Sequence, residues 1–399
     1  MCGDAMRPTI LAFFLHDSKY GEKIRGDERR FLELGKEFRK LGVRIYTIEH
    51  VPLQEYFLDK PVYSSVMTNA FLKSRSKISE IFRLLKVLTI VVVTVLRLKF
   101  DLIYVHNQDF ENVLFAFIAK ILSRKPLVIV IHFVPNEQTK RKQVHRAHSK
   151  TMILARVKEL LWRVFLRKAD ACIAVSRYVA MRALEEIKLR KVYVCGNGVD
   201  LEKFRSLNLS KIYDVAFLGR LDFVQKGIDT LLKAWVLVCS KMPDAKLIIV
   251  GGGSEEAYNM LKQIVDRLGL SDNVIITGFA PEDALPKILN MSKIFVFPSR
   301  FEGFGLAVLE AMACGLPCVL SNIEVFRELY NDVAIFVEPD DYRSLALTII
   351  RLLKDEKFVK RIGERSREHA PSYTWTKVAM CELKVLYNVL KSKGRGTNL

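Results

Sequence analysis

No apolar run in this chain of 399 residues is long enough to cross a bilayer. The most apolar window, Val87 to Leu96, is ten residues long and is bracketed by Arg83, Lys86, Arg97 and Lys99, whereas a spanning helix needs roughly 20. The expectation is a protein that is not integral to a membrane. The first apolar run, Thr9 to Leu15, is also too short for a signal segment and has no small-residue cleavage site after it. There is no C-x-x-C pair, and the seven cysteines (2, 172, 195, 239, 314, 318 and 381) are odd in number. That argues against a disulfide framework and for reduced, mostly buried thiols in a cytosolic compartment. Cys314 and Cys318 flank a Gly-Leu-Pro break with no histidine nearby, a poor match to metal-ligand spacing. The glycine turn Gly251-Gly252-Gly253-Ser254 lacks the full G-x-G-x-x-G spacing of a dinucleotide site. Interleaved basic and aromatic residues, the mark of RNA binding, are absent too.

What is present is a globular composition. Half of the residues are hydrophobic and 27% are charged, which excludes a disordered chain. The length suggests two domains, each able to bury a core. The net charge of +19 is unevenly placed: residues 1–200 hold 36 Lys and Arg against 20 Asp and Glu, a net of +16, and residues 201–399 hold 27 against 24, a net of +3. The first half is the basic one. It either meets an anionic partner or carries a solubilising surface.

Short apolar runs alternate with longer amphipathic ones. In the first half the strand candidates are Thr9–Leu15, Val43–Ile48, Leu102–Val105, Leu127–Ile131, Ala171–Val175 and Val192–Val194. Helix candidates between them include Glu28–Leu41, Phe110–Leu122, Met152–Arg167 and Arg177–Leu189. The second half repeats the pattern, with runs at Asp214–Leu218, Lys246–Val250, Val274–Ile276, Ile294–Phe297, Cys318–Leu320 and Ala334–Val337. Such alternation implies parallel, helix-covered sheets. The turn-rich Gly196-Asn197-Gly198-Val199-Asp200 marks the boundary. The expected division is a first domain over 1–196, a second over 197–370, and a C-terminal segment over 371–399 whose helix, Trp375 to Leu390, precedes a frayed tail. Two doubly wound sheets would face each other across a cleft at the carboxyl ends of their strands, where open α/β sheets bind ligands.

The segment Phe295 to Asn322, FVFPSRFEGFGLAVLEAMACGLPCVLSN, carries the most information. It reads as strand, polar loop, helix and glycine stop. Gly303 and Gly305 let a ligand approach the backbone, and the helix start offers unpaired N–H groups to an anion. Glu302 and Glu310 are placed to accept hydrogen bonds from hydroxyls. A phosphate cradle with two carboxylates suits a nucleotide sugar. Another strand end leads into Gly219-Arg220-Leu221-Asp222 and then Lys226-Gly227. Arg220 and Lys226 there form a clamp for a diphosphate, although alone they would read equally well as a surface pair.

Taken together, GRLDFVQKGIDTLLKA, the VGGG turn, TGFAPEDALPKIL, the Glu-x7-Glu segment above, VEPDD and the hinge CGNGVDLEKF resemble, in order and spacing, the retaining glycosyltransferases of family 4. The likeness covers about residues 7–390 and is looser in the first half. It implies an α/β chain of GT-B architecture: two facing Rossmann-like domains, with the C-terminal helix returning to the first. It implies that Glu302 holds hydroxyls of the donor sugar and Glu310 the ribose hydroxyls. Phe304, Gly305 and Leu306 would present backbone N–H groups, and Arg220 and Lys226 would neutralise the diphosphate leaving group. The loop around Ala280 would meet the base. No cofactor and no metal are expected, since protein cations take the metal's place and no Asp-x-Asp occurs.

In the first domain the resemblance sets His132, at the end of VIVIH, near the transferring sugar. Gly26 falls where the family has a Gly-Gly loop at the phosphates, but Arg25 replaces the first glycine. His106 reads as structural. The expected reaction moves a hexosyl group from a UDP- or GDP-sugar to a lipid-linked or other glycan or phospholipid acceptor. The acceptor would bind the basic first domain at the inner face of the cell membrane. Lys140-Arg141-Lys142, Arg146 and Lys150 follow the His132 loop. Arg156, Lys158, Arg163, Arg167 and Lys168 flank the apolar stripe Ile153, Val157, Leu160 and Val164 of the next helix. That stripe fits either an anionic lipid surface or the domain core. His145 and His148 have metal-like spacing in an unfavourably positive setting. Two other readings use the same residues: a GT-B sugar phosphorylase, and a basic nucleic-acid-binding protein without enzymatic activity.

Overall fold

The computed structural model describes residues 8–15, 26–49, 65–67, 77–134 and 149–394. The chain divides into two compact units, Met1–Gly196 together with Thr376–Leu399, and Asn197–Trp375.

The first unit is built on a seven-stranded sheet. Its strands are β1 (Thr9–Phe14), β2 (Arg44–Glu49), β3 (Ser65–Met67), β4 (Leu102–Val105), β5 (Leu127–Ile131), β6 (Ala171–Ala174) and β7 (Val192–Val194). The order is β3-β2-β1-β4-β5-β6-β7, and every pairing is parallel. Strands β4, β5 and β6 are buried along their whole length. A parallel strand covered by helices on both faces has no solvent side, so these segments are continuous apolar runs rather than alternating ones.

The C-terminal helix, Trp375–Ser392, belongs to this unit from Thr376 onward. It docks by a buried polar contact. Arg30, on the helix Gly26–Lys40, donates to Glu382 Oε1 at 2.5 Å and to the Gly196 carbonyl at 3.1 Å, and Tyr104 Oη donates to Glu382 Oε2 at 2.8 Å. Burial opposes the guanidinium's charge, but the carboxylate outweighs it and holds the Arg30 pKa above its ordinary value. Thr376 Oγ1 adds a bond to Glu37 at 2.7 Å. Cys195 and Cys381 are joined by a disulfide, with Cα atoms 5.5 Å apart. For these two the expectation of reduced thiols is therefore corrected: they are 186 residues apart in sequence, and only the return of the last helix to the end of β7 brings them together. Cys172, Cys314 and Cys318 are free and buried, and Cys239 is free and half-buried.

The second unit holds β8 (Tyr213–Leu218), β9 (Leu247–Val250), β10 (Val274–Gly278), β11 (Ser292–Phe297), β12 (Cys318–Ser321) and β13 (Ile335–Val337). They pair in parallel in the order β10-β9-β8-β11-β12-β13. The chain winds outward from β8 in one direction and from β11 in the other. The loops after β8 and β11 therefore part at the switch point and leave a crevice at the carboxyl edge. Phe217 and Phe297 stack below it with ring centroids 5.7 Å apart. Both units are Rossmann-like doubly wound sheets.

Candidate functional site

The switch point of the second unit gathers most of the residues singled out from sequence. Asp222 caps the short helix Phe223–Lys226, accepting from Val224 N and Gln225 N. The turn that follows brings Lys226 Nζ to 2.5 Å from Glu302 Oε1, in the loop after β11. The ammonium also lies 4.8 Å from the Phe297 ring centroid. Both side chains are nearly buried, and the pairing compensates two charges that would be costly to bury singly. An ammonium has three donors, so serving Glu302 leaves it able to serve an anionic oxygen as well. Gln225 links the same loops: its Oε1 accepts from Arg220 at 3.0 Å and its Nε2 donates to the Phe301 carbonyl at 3.2 Å. Arg220, Lys226 and Glu302 are thus brought together.

Two glycines permit this approach. Gly227 has φ +63°, and a Cβ there would stand 2.1 Å from the Pro298 carbonyl oxygen. Gly305 has φ +90° and opens the helix Leu306–Ala313, packed so that a Cβ would meet the Phe326 ring at 2.9 Å. The φ values are of the kind that side chains other than glycine rarely adopt. Leu306 is the first residue of that helix, and Glu310 is buried within it. Its neighbours Val308, Leu309, Ala311 and Met312 are apolar and buried, so packing alone would not select a carboxylate at Glu310. Phe304 anchors the loop by its side chain, edge-on to Tyr330 and Tyr373 at 6.4 and 5.8 Å. Ala280 lies in the loop after β10.

Arg300 was not singled out from sequence, yet it is the most connected side chain here. Its guanidinium meets Asp229 Oδ2 at 2.7 Å and Asp340 Oδ1 at 2.6 Å, and it donates to the carbonyls of Phe223 and Val224 at 2.5 and 3.3 Å. Its backbone N–H reaches the Gln225 carbonyl at 2.8 Å. The loop bearing Glu302 is thereby fastened to the helix bearing Lys226. An arginine directly after Pro298-Ser299 in the motif was the available signal.

In the first unit, His132 follows β5 and its Nε2 lies 2.8 Å from the His106 carbonyl. A ring nitrogen facing a carbonyl must carry the proton, which leaves Nδ1 as an acceptor. Loss of solvation, with the Arg30 charge adding to it, lowers the His132 pKa to about 4. The imidazole is therefore neutral near pH 7. Gln108 fixes the backbone that carries it, accepting from the His132 backbone N–H at 2.6 Å and donating to the Phe133 carbonyl. His106 is buried and faces the Phe13 carbonyl at 2.8 Å. Asn107 donates to Asp27 at 2.9 Å and to Asp109 at 3.1 Å; sequence reasoning missed this polar edge, since no periodicity marks it. Gly26 is the first residue of its helix. The phosphate loop expected before it, and Lys140–Lys142, His145, Arg146 and His148, lie outside the described residues.

A family model described as Glycosyl transferases group 1 matches residues 191–369, and one described as Glycosyltransferase Family 4 matches residues 24–203. The chain belongs to the family 4 glycosyltransferases. Mannosylfructose-phosphate synthase of Agrobacterium fabrum is 34% identical over 174 residues, covering 41% of this chain and 38% of that protein. Phosphatidyl-myo-inositol mannosyltransferase of Mycolicibacterium smegmatis is 25% identical over 303 residues, 74% of this chain and 72% of that one. This family 4 chain spans 38%, 46% and 44% of the length of the first three curated relatives it matches. In fold it is similar to sucrose-phosphate synthase from Thermosynechococcus elongatus, with a TM-score of 0.80 at 20% identity over 97% of this chain and 100% of that one. It is also similar to Anabaena HepE, solved with UDP and glucose, with a TM-score of 0.75 at 18% identity over 96% and 100%. The GT-B likeness at those identities concerns the fold alone.

Proposed function

We propose that this chain is a retaining, metal-independent hexosyltransferase that takes its sugar from a UDP- or GDP-sugar. The observation that carries the reading is the Lys226–Glu302 pair at the switch point, with Arg220 tied through Gln225 to the same two loops and the buried Glu310 on the helix that follows. Breaking the bond between anomeric carbon and phosphate oxygen places negative charge on the departing diphosphate. Lys226 and Arg220 are fixed cations where that charge develops, so they favour the transition state over the ground state. They also supply the charge that a divalent metal would otherwise bring. Glu302 accepts from sugar hydroxyls and Glu310 from the ribose, with the N–H groups of Phe304, Gly305 and Leu306 turned to the sugar and phosphates. Ala280 and Gly26 complete the donor contacts.

In the retaining step the acceptor oxygen bonds to the anomeric carbon on the face that the diphosphate leaves. The acceptor's proton passes to the departing phosphate oxygen. His132, neutral and accepting at Nδ1, orients a hydroxyl and exchanges no proton. The acceptor is a lipid-linked or other glycan or a phospholipid, bound by the basic first unit at the cytoplasmic face of the membrane. Supporting the donor reading is the fold relative HepE, which was also solved with UDP-glucose. Supporting the acceptor reading is the phosphatidyl-myo-inositol mannosyltransferase among the relatives. Nucleic acid has no part in it.

The test is release of nucleoside diphosphate from UDP- and GDP-hexoses, beside sugar 1-phosphates, with a chelator present. The proposal expects turnover of a nucleotide sugar, unaffected by the chelator, with the anomeric configuration kept. Use of sugar 1-phosphate alone would establish a phosphorylase instead.

A further inference from the structure

The helix Lys77–Arg97 is apolar on both of its faces. Val87, Val91 and Thr94 are buried, a spacing of four and three that faces the sheet. On the other side Phe82, Leu85, Val93 and Leu96 lie open, Phe82 at 68% and Leu96 at 79% exposure. The helix Ser149–Arg167 does the same. Its inner side carries Trp162, bonded to the Gln108 carbonyl at 2.5 Å, Phe165, stacked 4.9 Å from Phe117, and the buried Leu166. Its outer side carries Val157, Leu160, Leu161 and Val164, with Leu160 63% exposed. The described part of the stripe read from sequence as either core or lipid-facing (Val157, Leu160 and Val164) is therefore turned away from the core.

These faces belong to one layer. The connections from β3 to β4, β4 to β5, β5 to β6 and β6 to β7 all step across the sheet in the same direction. Right-handed crossovers put their helices on one side of it. Lys77–Arg97 packs on Phe110–Ser123, which packs on Ser149–Arg167, which packs on the turn Ala183–Ile187. The helix Phe110–Ser123 adds exposed Ile121 and Leu122, the turn adds Leu184, and Met181 is exposed on the short helix Arg177–Arg182 that leads into it. A run of exposed aliphatic and aromatic groups across four neighbouring segments exceeds the scattered apolar residues of an ordinary surface.

Charge says what covers it. The helices end in Arg97, then Lys99; in Arg124; and in Arg167 and Lys168, all exposed. Because these helices run antiparallel to their strands, those ends form one basic row. Arg156 and Lys158 flank the aliphatic stripe and are exposed as well. Of the acids, Glu159 is paired with Arg163 at 2.7 Å, Glu111 with Arg83 at 2.7 Å, and Glu186 with Arg182; Glu185 is exposed. An apolar face rimmed by cations fits an anionic lipid bilayer, with side chains entering the acyl boundary and ammonium and guanidinium groups at the phosphates. A second copy of this chain would bring the same positive rim against itself.

We infer that the outer face of this four-segment layer of the first unit is a docking surface for an anionic membrane. The inference rests on the proposed membrane-face acceptor and names the surface that meets the lipid.

The experiment is co-sedimentation of the full chain with phosphatidylcholine vesicles and with vesicles in which about a third of the lipid is phosphatidylglycerol. It compares wild type, Phe82→Glu/Leu85→Glu and Leu160→Glu/Leu161→Glu. All four positions are exposed, and thermal unfolding verifies that the folds are kept. Wild type is expected to partition at least about tenfold more to the anionic vesicles, and each double variant to lose about tenfold. Nucleoside diphosphate release in the absence of lipid stays unchanged. Binding that persists in both variants, or is absent from anionic vesicles, overturns the inference. So does a dimer, seen by light scattering, that the variants dissolve while vesicle binding is missing. If vesicles are ignored but a detergent-solubilised lipid-linked acceptor is glycosylated, this inference fails and the proposed function stands.

Discussion

Lys226 Nζ stands 2.5 Å from Glu302 Oε1, although 76 residues separate them in the chain. Removing one member of such a pair strands the other in a nearly buried site. Lys226→Met alone is expected to cost roughly 3 kcal/mol of stability, the low end for breaking a buried pair. Lys226→Met/Glu302→Gln should recover much of that loss, because no uncompensated charge remains. Neither variant should turn over donor. Denaturant unfolding of both variants, beside turnover, checks this; a double variant no more stable than the single one contradicts it.

Arg300 is expected to act as a positioning residue. Its bonds to the carbonyls of Phe223, Val224 and Gln225 hold the Glu302 loop to the helix bearing Lys226, and those to Asp229, Thr230 and Asp340 fix the guanidinium, while Glu310 sits on a different element. Arg300→Ala should therefore lower kcat by about 10- to 100-fold, the scale of a small misplacement of catalytic groups. Affinity for the nucleoside diphosphate should change little. Arg300→Lys, which keeps the charge but loses the planar fork, should restore only a small part. Steady-state kinetics beside nucleotide binding separate the two effects.

Gly227 and Gly269 share a left-handed backbone, with φ +63° and +67°. A Cβ at Gly269 meets nothing within 4 Å, whereas at Gly227 it would stand 2.1 Å from the Pro298 carbonyl. Gly269→Ala should cost about 1 kcal/mol for the backbone alone. Gly227→Ala should cost more and should also depress turnover, since the turn must back away from β11. Comparing melting temperature and activity of the two variants isolates the contact.

The His132 ring is held neutral. Its pKa falls from 6.5 to about 4 on folding, so the folded chain binds fewer protons between those values. The stability contributed is complete above about pH 6.5 and is lost as pH falls toward 4. Wild type should lose more thermal stability between pH 7 and pH 5 than His132→Gln does, and kcat/KM should show no ionisation near 6.5 that His132→Gln removes. An inflection there that vanishes in the variant would contradict the neutral-acceptor role.

The strands could be read closely because the sheet is buried. Leu102–Val105 and Leu127–Ile131 appear with the bounds their apolar runs suggest, since parallel strands covered on both faces leave no polar interruption, and the half-exposed edge strand Val192–Val194 keeps its bounds as well. Ser65–Met67 was not read, because it holds a single β-branched apolar residue, Val66, and makes no apolar run. The helix Lys77–Arg97 was seen only as an apolar window, its two apolar faces hiding the amphipathic period. At the site, Glu302, Glu310, Arg220 and Lys226 were legible because glycines and strand ends punctuate them. Arg300 was not, since its partners Asp229 and Asp340 lie 71 and 40 residues away. Arg30 with Glu382, and Cys195 with Cys381, are separated by 352 and 186 residues. Such pairings depend on where the last helix docks, which no local periodicity records.

The most direct measurement is calorimetric titration of wild type and Glu310→Ala with UDP and GDP, beside turnover of the corresponding sugar nucleotides. Wild type should bind one of the two nucleotides. Glu310→Ala should weaken that binding by roughly 10- to 100-fold, the loss expected when a charged hydrogen-bond acceptor is removed, and should reduce turnover with it. Unchanged nucleotide affinity and turnover in the variant would contradict the placement of the donor at the switch point of the second unit.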